Sequence, residues 1–255
     1  MEPTSRGRAN GSLSSETIRP ADPAGAETLE IMQAAPRYNR WQCSRIAPYL
    51  GGRICEVGSG IGNMSTLILG STPELLVLTD TDPYYREALQ HRFKQRHDVV
   101  VEELTLPDNA AKNRFEGYDL DTVVALNVIE HIADDLEALR CIGRMLRPQG
   151  RAVVLVPALE GLFGSLDRAL GHHRRYTRKS LTAQMRKAGF RLERVFYFNL
   201  VGTFGWWLNA RFRKALRIPL HQLQSFDRLV PILRAEDLIP LPFGQSVIAI
   251  GTVDG

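Results

Sequence analysis

The sequence is poor in cysteine and has no long apolar run, and both shortages narrow the class of protein. Its three cysteines, Cys43, Cys55 and Cys141, are widely separated and form no CxxC pair. They therefore predict neither a disulfide framework nor a cysteine metal site. Residues 1–25 are rich in Ser, Gly, Pro and Ala without an apolar segment, which is typical of a disordered leader rather than a signal peptide. We expect a cytoplasmic protein with a leader over residues 1–27.

A strong excess of charge of one sign is also missing. The 32 basic and 28 acidic residues leave a net charge of +4, and the basic residues are dispersed apart from Arg174–Arg175 and the stretch 211–217. A nucleic-acid partner is therefore not expected, because such proteins concentrate their positive charge. The apolar share of 44% and the length of 255 residues predict one globular domain over residues 28–255.

Short apolar segments alternate with segments of helical periodicity along most of the chain. This alternation is typical of βαβ units around a mostly parallel sheet, and it predicts an α/β fold. Residues 201–245, rich in aromatic and basic side chains, interrupt the pattern before the last segment and are expected to lie on the side of a bound substrate. The predicted strands are 53–57, 75–79, 99–101, 120–126, 152–156, 191–200 and 247–253.

A glycine-rich turn follows the first predicted strand, with Gly58, Gly60 and Gly62. Such a turn lets the backbone approach a nucleoside or a dinucleotide equally well. Glu56 precedes it and would repel a pyrophosphate, whereas it could meet the ammonium group of an amino-acid nucleoside. Asp80 ends the second strand, where an acid accepts hydrogen bonds from ribose hydroxyls.

Three motifs in order resemble those of class I S-adenosylmethionine-dependent methyltransferases. They read EVGSGIG at 56–62, TDTDP at 79–83 and LNVIEHI at 126–132. The resemblance implies a Rossmann-like seven-stranded sheet of order 3-2-1-4-5-7-6, with the last strand antiparallel and helices on both faces. It also implies S-adenosylmethionine as cofactor, with either Glu103 or Glu102 near the adenine amine. The cofactor-binding residues that it implies are Tyr38, Glu56, Gly58, Gly60, Gly62, Asp80, Thr81, Glu103, Leu104 and Asn127.

The run Gly171-His172-His173-Arg174-Arg175-Tyr176 after the fifth strand resembles a bacterial methyltransferase subgroup that acts in glycan, lipid-linked and secondary-metabolite pathways. Two interpretations stay open. The arginines could clamp an anionic acceptor while a histidine or the tyrosine takes its proton, or they could pin the loop by binding backbone carbonyls. The candidate catalytic residues are His131, His172 and Tyr176. The candidate substrate-binding residues are Asp167, His173, Arg174, Arg175 and Trp206.

The stretch 196–210 is apolar and aromatic, and basic residues follow it. It is shorter than the roughly 20 residues that span a bilayer. It is either a strand followed by a helix that covers the core, or a surface that contacts a membrane or a lipid chain. The second interpretation allows peripheral membrane association.

Together these features predict a methyltransferase that acts on a small-molecule, glycan or lipid-linked acceptor. Oxygen is the expected methyl acceptor, with nitrogen and carbon left open. Direct in-line transfer from a sulfonium needs positioning and at most one proton acceptor, so no metal is expected. The alternatives are an RNA or protein methyltransferase and a non-catalytic cofactor-binding module. The oligomeric state is left open.

Overall fold

A seven-stranded sheet of order β3-β2-β1-β4-β5-β7-β6 organises the chain. The computed structural model describes residues 19–208 and 220–254. Strands β1 to β5 pair in parallel, and β7 runs antiparallel to both of its neighbours. The predicted fold class and strand order are therefore confirmed. The strands are β1 Arg53–Val57, β2 Leu75–Asp80, β3 Val99–Glu103, β4 Leu120–Leu126, β5 Leu146–Pro157, β6 Arg191–Phe198 and β7 Ser246–Thr252.

Helices cover both faces of the sheet, as the resemblance implies. One core contains side chains from α5, α6 and α8, and the opposite core contains side chains from α2, α3, α4 and α10. Alternate residues of the central strands supply the two cores, which explains their near-continuous apolar sequence. The helices are α1 Pro23–Gln33, α2 Pro36–Ile46, α3 Asn63–Ile68, α4 Pro83–Arg92, α5 Ala111–Phe115, α6 Asp135–Met145, α7 Ser165–Ala169, α8 Arg178–Lys187, α9 Leu200–Leu208 and α10 Leu220–Leu233.

Two predicted boundaries are wrong. Helix α1 begins at Pro23, where the Asp22 side chain accepts the Ala24 amide hydrogen, so the expected leader end at residue 27 falls inside a capped helix. The sixth strand ends at Phe198 rather than at residue 200, because Asn199 adopts a left-handed conformation with φ of 63° and α9 starts directly after it. Residues 1–18 of the expected leader lie outside the described residues.

The segment 201–245 contains most of α9 and all of α10. Leu223 and Val230 of α10 are buried in the core, so α10 covers the sheet. The strand and helix predicted for the stretch 196–210 are present as the end of β6 and α9, and the covering of the core by α9 stays a prediction. Phe204 and Trp207 of α9 are exposed. The basic residues at 211–217 lie outside the described residues. No described helix is both long and apolar enough to cross a bilayer.

A carboxylate of this segment caps a distant helix. The N-cap residue of α2, Ala35, has no side-chain acceptor to offer. Buried Asp227 of α10 instead accepts the Tyr38 amide hydrogen at 2.8 Å, and Arg37 lies 3.6 Å from its other oxygen. The otherwise unsatisfied first turn of α2 is thus stabilised by α10.

We expect Asp227→Ala to lower the free energy of unfolding by about 1–2 kcal/mol, because it removes this cap and leaves a buried amide without an acceptor. Denaturant unfolding of the full chain measures the change. Ser225→Ala on the exposed side of the same helix is the matched control and should change stability far less. Equal effects of the two substitutions would contradict the capping role.

Candidate functional site

Neighbouring side chains pack closely against the glycine turn after β1 and leave no room for Cβ atoms. Gly58, Gly60 and Gly62 all have positive φ, a conformation that favours glycine. A Cβ atom added to Gly58 would lie 2.7 Å from Cγ2 of Val128. The Ser59 amide donates to the Thr79 carbonyl at 2.8 Å, which fixes the turn against β2. This arrangement suits close approach of a ligand.

Helix α1 lies against this turn. The Asn63 side-chain amide donates to the Leu29 carbonyl at 3.1 Å, and the Ala21 amide donates to Asp82 at 2.8 Å. A Cβ atom added to Gly60 would come within 2.8 Å of the Leu29 side chain. The sequence analysis assigned no role to Leu29, because the adjoining residues looked like a leader.

Glu56 is a buried carboxylate beside the turn, with 3% of its surface exposed. The Ser65 hydroxyl on α3 donates to it. Burial raises the pKa of Glu56 to about 7, an effect that hydrogen bonds from Ser65 and Ser59 only partly offset. A cationic ligand would favour the charged form, so the position fits the ammonium group of the cofactor. Ser65 was not predicted; a hydroxyl among apolar residues of α3 is its only sequence signal.

Asp80 connects the turn to the end of β2. Its two carboxylate oxygens accept the amide hydrogens of Gly60 at 2.9 Å and Asp82 at 3.0 Å. A carboxylate retains further lone pairs in this arrangement, so it can still accept ribose hydroxyls. The Leu104 amide donates to the Asp80 carbonyl at 3.4 Å, and the Thr81 hydroxyl lies 2.6 Å from that of Thr105. The structure thus brings Asp80, Thr81 and Leu104 together.

The two acids at the end of β3 have different partners. Glu102 accepts the Tyr118 hydroxyl hydrogen at 2.6 Å, whereas Glu103 forms an ion pair of 3.0 Å with Arg86. Arg86 also donates to the Asp80 carbonyl at 3.1 Å, so Glu103 is the acid connected to the ribose side. Its contact with the adenine stays a prediction.

Two further cofactor candidates are Asn127 and Tyr38. Asn127 is exposed directly after β4, in a left-handed conformation with φ of 54°. Tyr38 is buried against Trp41, Phe198 and Phe226, and its hydroxyl forms a hydrogen bond with Asn199. The structure does not test the predicted contact of either residue with the cofactor.

A buried ion network follows β5. The fully buried carboxylate of Asp167 accepts from the Gly164 amide at 2.9 Å and from Nε of Arg175 at 2.8 Å, and it lies 2.9 Å from Nδ1 of His172. Burial alone would raise the pKa of Asp167, but the hydrogen bond of His172 and the charge of Arg175 outweigh it and lower the pKa. The network fixes the orientation of the His172 ring.

The two arginines bind other groups of the protein at the wall of an open cavity. Arg175 is buried, donates to the Ala158 carbonyl at 3.0 Å and stacks on the Trp206 ring at 4.5 Å. Arg174 donates to the Ala133 carbonyl at 2.6 Å and pairs with Asp135 at 2.8 Å. Both guanidinium groups have protein acceptors, which favours the interpretation that they pin the loop; contact of Arg174 or Arg175 with a substrate stays a prediction.

Tyr176 is corrected from a proton acceptor to a structural residue. It is 2% exposed, and its hydroxyl donates to Asp135 at 2.7 Å. Burial and this bond raise the pKa of Tyr176 well above its usual range, so its hydroxyl keeps its proton. His173 is exposed and lines, with Lys187, an open cavity of about 510 Å³; its contact with a substrate stays a prediction.

Glu130, His131 and His172 form a cluster after β4. The rings of His131 and His172 meet edge to face, with centroids 4.7 Å apart. Glu130 is fully buried, and neither carboxylate oxygen has a hydrogen-bond partner among the described residues. Burial raises the pKa of Glu130 to about 8. No role was predicted for Glu130 beyond its place in the motif at 126–132, because no sequence pattern shows that this side chain is buried.

We expect binding of S-adenosylhomocysteine, the demethylated form of the implied cofactor, to weaken as the pH falls. Its ammonium group requires ionised Glu56, so binding below a pKa of about 7 must release a proton. The Kd should rise roughly tenfold from about pH 7.5 to about pH 6. Calorimetric titration in buffers of different ionisation enthalpy measures both quantities. In Glu56→Gln the Kd for S-adenosylhomocysteine should be higher and nearly independent of pH. A variant whose Kd depends on pH as that of the wild type does would contradict the role of Glu56 in binding the ammonium group.

We expect Tyr176→Phe to lower the free energy of unfolding by about 1–3 kcal/mol through loss of the hydroxyl–carboxylate bond. Methyl transfer should change less than about twofold, a rate difference below 0.5 kcal/mol. Denaturant unfolding and initial rates measured on the same preparations separate the two effects. A protein of normal stability with abolished transfer would restore the role of proton acceptor.

Comparison with known proteins identifies the family. Residues 32–195 match the family model described as a methyltransferase domain. Methyltransferase calH of Penicillium decumbens is 27% identical over 128 residues, which cover 47% of this chain and 34% of that protein. The chain also matches polyketide synthases of Penicillium and Aspergillus and spans about 4% of their length.

Solved structures agree in fold. The CurJ carbon methyltransferase superimposes with a TM-score of 0.56 at 14% identity, over 82% of this chain and 50% of that one. The trans-methyltransferase CalH, solved with S-adenosylhomocysteine, gives 0.52 at 18% identity, over 85% and 55%. The family match, the sheet order and the buried carboxylate beside the glycine turn agree. The chain belongs to the methyltransferase domain family as a class I, S-adenosylmethionine-dependent methyltransferase.

Proposed function

We propose that this methyltransferase acts on a small-molecule acceptor with an apolar body, and that it methylates an oxygen atom of that acceptor. The observation that carries the proposal is an apolar cavity lined by Trp206, whose buried indole N–H has no acceptor among the described residues. Glycan and lipid-linked molecules with an apolar part belong to the same class of acceptor.

The cavity has a volume of about 150 Å³ and lies between the N-terminal helices and α9 and α10. Trp206 is one of its lining residues, and the indole Nε1 of this side chain is buried with no hydrogen-bond partner among the described residues. A buried donor without an acceptor is costly, so an acceptor molecule with an oxygen near Trp206 would be favoured. The lining residues include Met32, Tyr38, Leu166, Asn199, Phe226 and Gln245.

Trp206 connects this cavity to the histidine cluster. Its ring stacks on Arg175, which binds the same Asp167 carboxylate that orients His172. An acceptor in the cavity would therefore be held by side chains that are themselves fixed by the ion network. Such fixed positioning is the main requirement of in-line transfer.

When bound, S-adenosylmethionine supplies an electrophilic methyl group on a sulfonium. The chain supplies position and a proton acceptor. Surrounding protein and the adjacent His172 lower the pKa of His131 to about 4, so the ring is neutral at pH 7 and holds a free lone pair. Nδ1 of His172 is engaged with Asp167, which leaves its other ring nitrogen toward the cluster. Either ring suits removal of a hydroxyl proton.

Similarity to polyketide synthases and to a carbon methyltransferase supports a small-molecule acceptor. They favour carbon as the alternative methyl-accepting atom. Dispersed charge disfavours RNA. The exposed side chain of Phe204 adjoins the cavity-lining part of α9 and is compatible with a lipid-linked acceptor.

Methyl transfer from labelled S-adenosylmethionine to phenols, alcohols, amines and acidic carbon compounds tests the proposal. We expect hydroxyl compounds with an apolar body to be methylated. For the best of these, Trp206→Phe should lower kcat/KM by about tenfold, because loss of one buried hydrogen bond costs roughly 1.4 kcal/mol. NMR of the product identifies the methylated atom.

Trp207→Phe, at the exposed neighbouring tryptophan, is the matched control and should leave kcat/KM unchanged. Products methylated only at carbon would overturn oxygen as the acceptor atom while leaving the small-molecule class in place. Cofactor binding without transfer to any compound, or transfer only to RNA or protein, would overturn the proposal.

A further inference from the structure

The carboxylate of Glu130 lies in the protein interior, where burial of a carboxylate without a partner costs free energy. It is fully buried, and both oxygens are without a hydrogen-bond partner among residues 19–208 and 220–254. Buried polar groups are nearly always satisfied by the protein, by water or by an ion. This carboxylate therefore points to a bound species that carries positive charge.

Two imidazole nitrogens complete a possible ligand set beside it. Glu130, His131 and His172 each offer one ligand atom, and these atoms lie within 4.8 Å of one another. Two histidines and one carboxylate are a common ligand set for divalent zinc, and they also suit other first-row transition metal ions. A fourth position would remain open.

The surrounding groups prepare His172 as a ligand. Its Nδ1 lies 2.9 Å from the Asp167 carboxylate, so a hydrogen on this nitrogen leaves the lone pair of Nε2 for a metal. Asp167 is in turn fixed by Arg175 and the Gly164 amide. A carboxylate behind a histidine ligand is the usual outer-shell arrangement at metal sites, where it fixes the ring and raises its basicity.

Charge also favours a cation. Glu130 and Asp167 bring two negative charges, and Arg175 contributes one positive charge that is directed to Asp167 and the Ala158 carbonyl. The cluster thus has a net negative charge when both acids are ionised. Ligand atoms about 2.0–2.2 Å from a tetrahedral ion lie about 3.3–3.6 Å apart, so atoms that lie within 4.8 Å of one another would approach by up to about 1.5 Å to bind it.

We propose that Glu130, His131 and His172 bind a divalent first-row transition metal ion such as Zn²⁺. The proposal departs from the sequence-based expectation that no metal takes part. The sequence indicates this metal site only weakly, because His172 lies too far along the chain from Glu130 and His131 for the three residues to form a short ligand motif.

The consequence for the reaction rests on the proposed function. An ion at this cluster would attract an acceptor oxygen to its open position and lower the pKa of the hydroxyl. The two histidines would then act as ligands instead of proton acceptors. This favours acceptors with a second oxygen nearby, such as vicinal diols, catechols and hydroxy acids, which can bind an ion through both oxygens.

The first test measures metal binding without any cofactor or acceptor. Chelator-treated full-length protein is titrated with Zn²⁺ by calorimetry and with Co²⁺ by visible absorption. We expect one ion per chain and the Co²⁺ bands of a low-symmetry nitrogen and oxygen site. His172→Ala and Glu130→Gln should each raise the Kd for Zn²⁺ by about 100-fold. Loss of a ligand should cost at least as much metal affinity as loss of a residue that only hydrogen-bonds to a ligand.

His173→Ala is the matched control, because it removes the neighbouring exposed histidine, which is not part of the cluster. Its Kd for Zn²⁺ should equal that of the wild type. Circular dichroism and S-adenosylhomocysteine titration show that each variant is folded, and unchanged cofactor affinity separates loss of the metal site from loss of the methyltransferase fold. Absence of Zn²⁺ and Co²⁺ binding to the wild type, or an equal loss in His173→Ala, would overturn the metal site.

Discussion

Desolvation of carboxylates at one edge of the sheet is the constraint on which the site depends. Glu56, Asp80, Glu130 and Asp167 are all buried there, and each removes a charged group from water at substantial cost. Asp80 and Asp167 are compensated within the protein, by backbone amides and by an arginine respectively. Glu56 has the Ser65 and Ser59 hydroxyls as partners, and Glu130 has none among the described residues. The incompletely compensated acids mark the positions where ligands of positive charge are favoured.

The architecture explains why these acids meet. Strands β1, β2 and β4 are parallel neighbours, so their carboxyl ends lie together, and the residues that follow them face one crevice. Apolar helices cover both faces of these strands, which leaves their ends as the place for polar side chains. Helix α1 then lies against the glycine turn. The crevice is therefore bounded by rigid elements on the cofactor side.

The acceptor side is built differently, from a loop that is held by charge. Arg175, Asp167 and His172 form one buried network, while Arg174 and Tyr176 converge on Asp135. These contacts use the groups that sequence reasoning assigned to substrate binding. Their common effect is to fix the positions of the histidine cluster and of Trp206, which lines the apolar cavity. A polar segment with so many donors needs such internal acceptors when it is buried.

The amino-acid sequence by itself determined the fold class and the residues around the glycine turn, and it determined the strand order through its family resemblance. These features depend on short-range patterns of apolar residues, glycines and acids. It did not determine the partners of Arg174, Arg175 and Tyr176, or the burial of Glu130. Those depend on contacts between residues far apart in the chain, such as Tyr176 with Asp135 and Tyr38 with Asp227. A side chain that can bind either a ligand or the protein is assigned only when the packed structure shows which acceptor lies within reach.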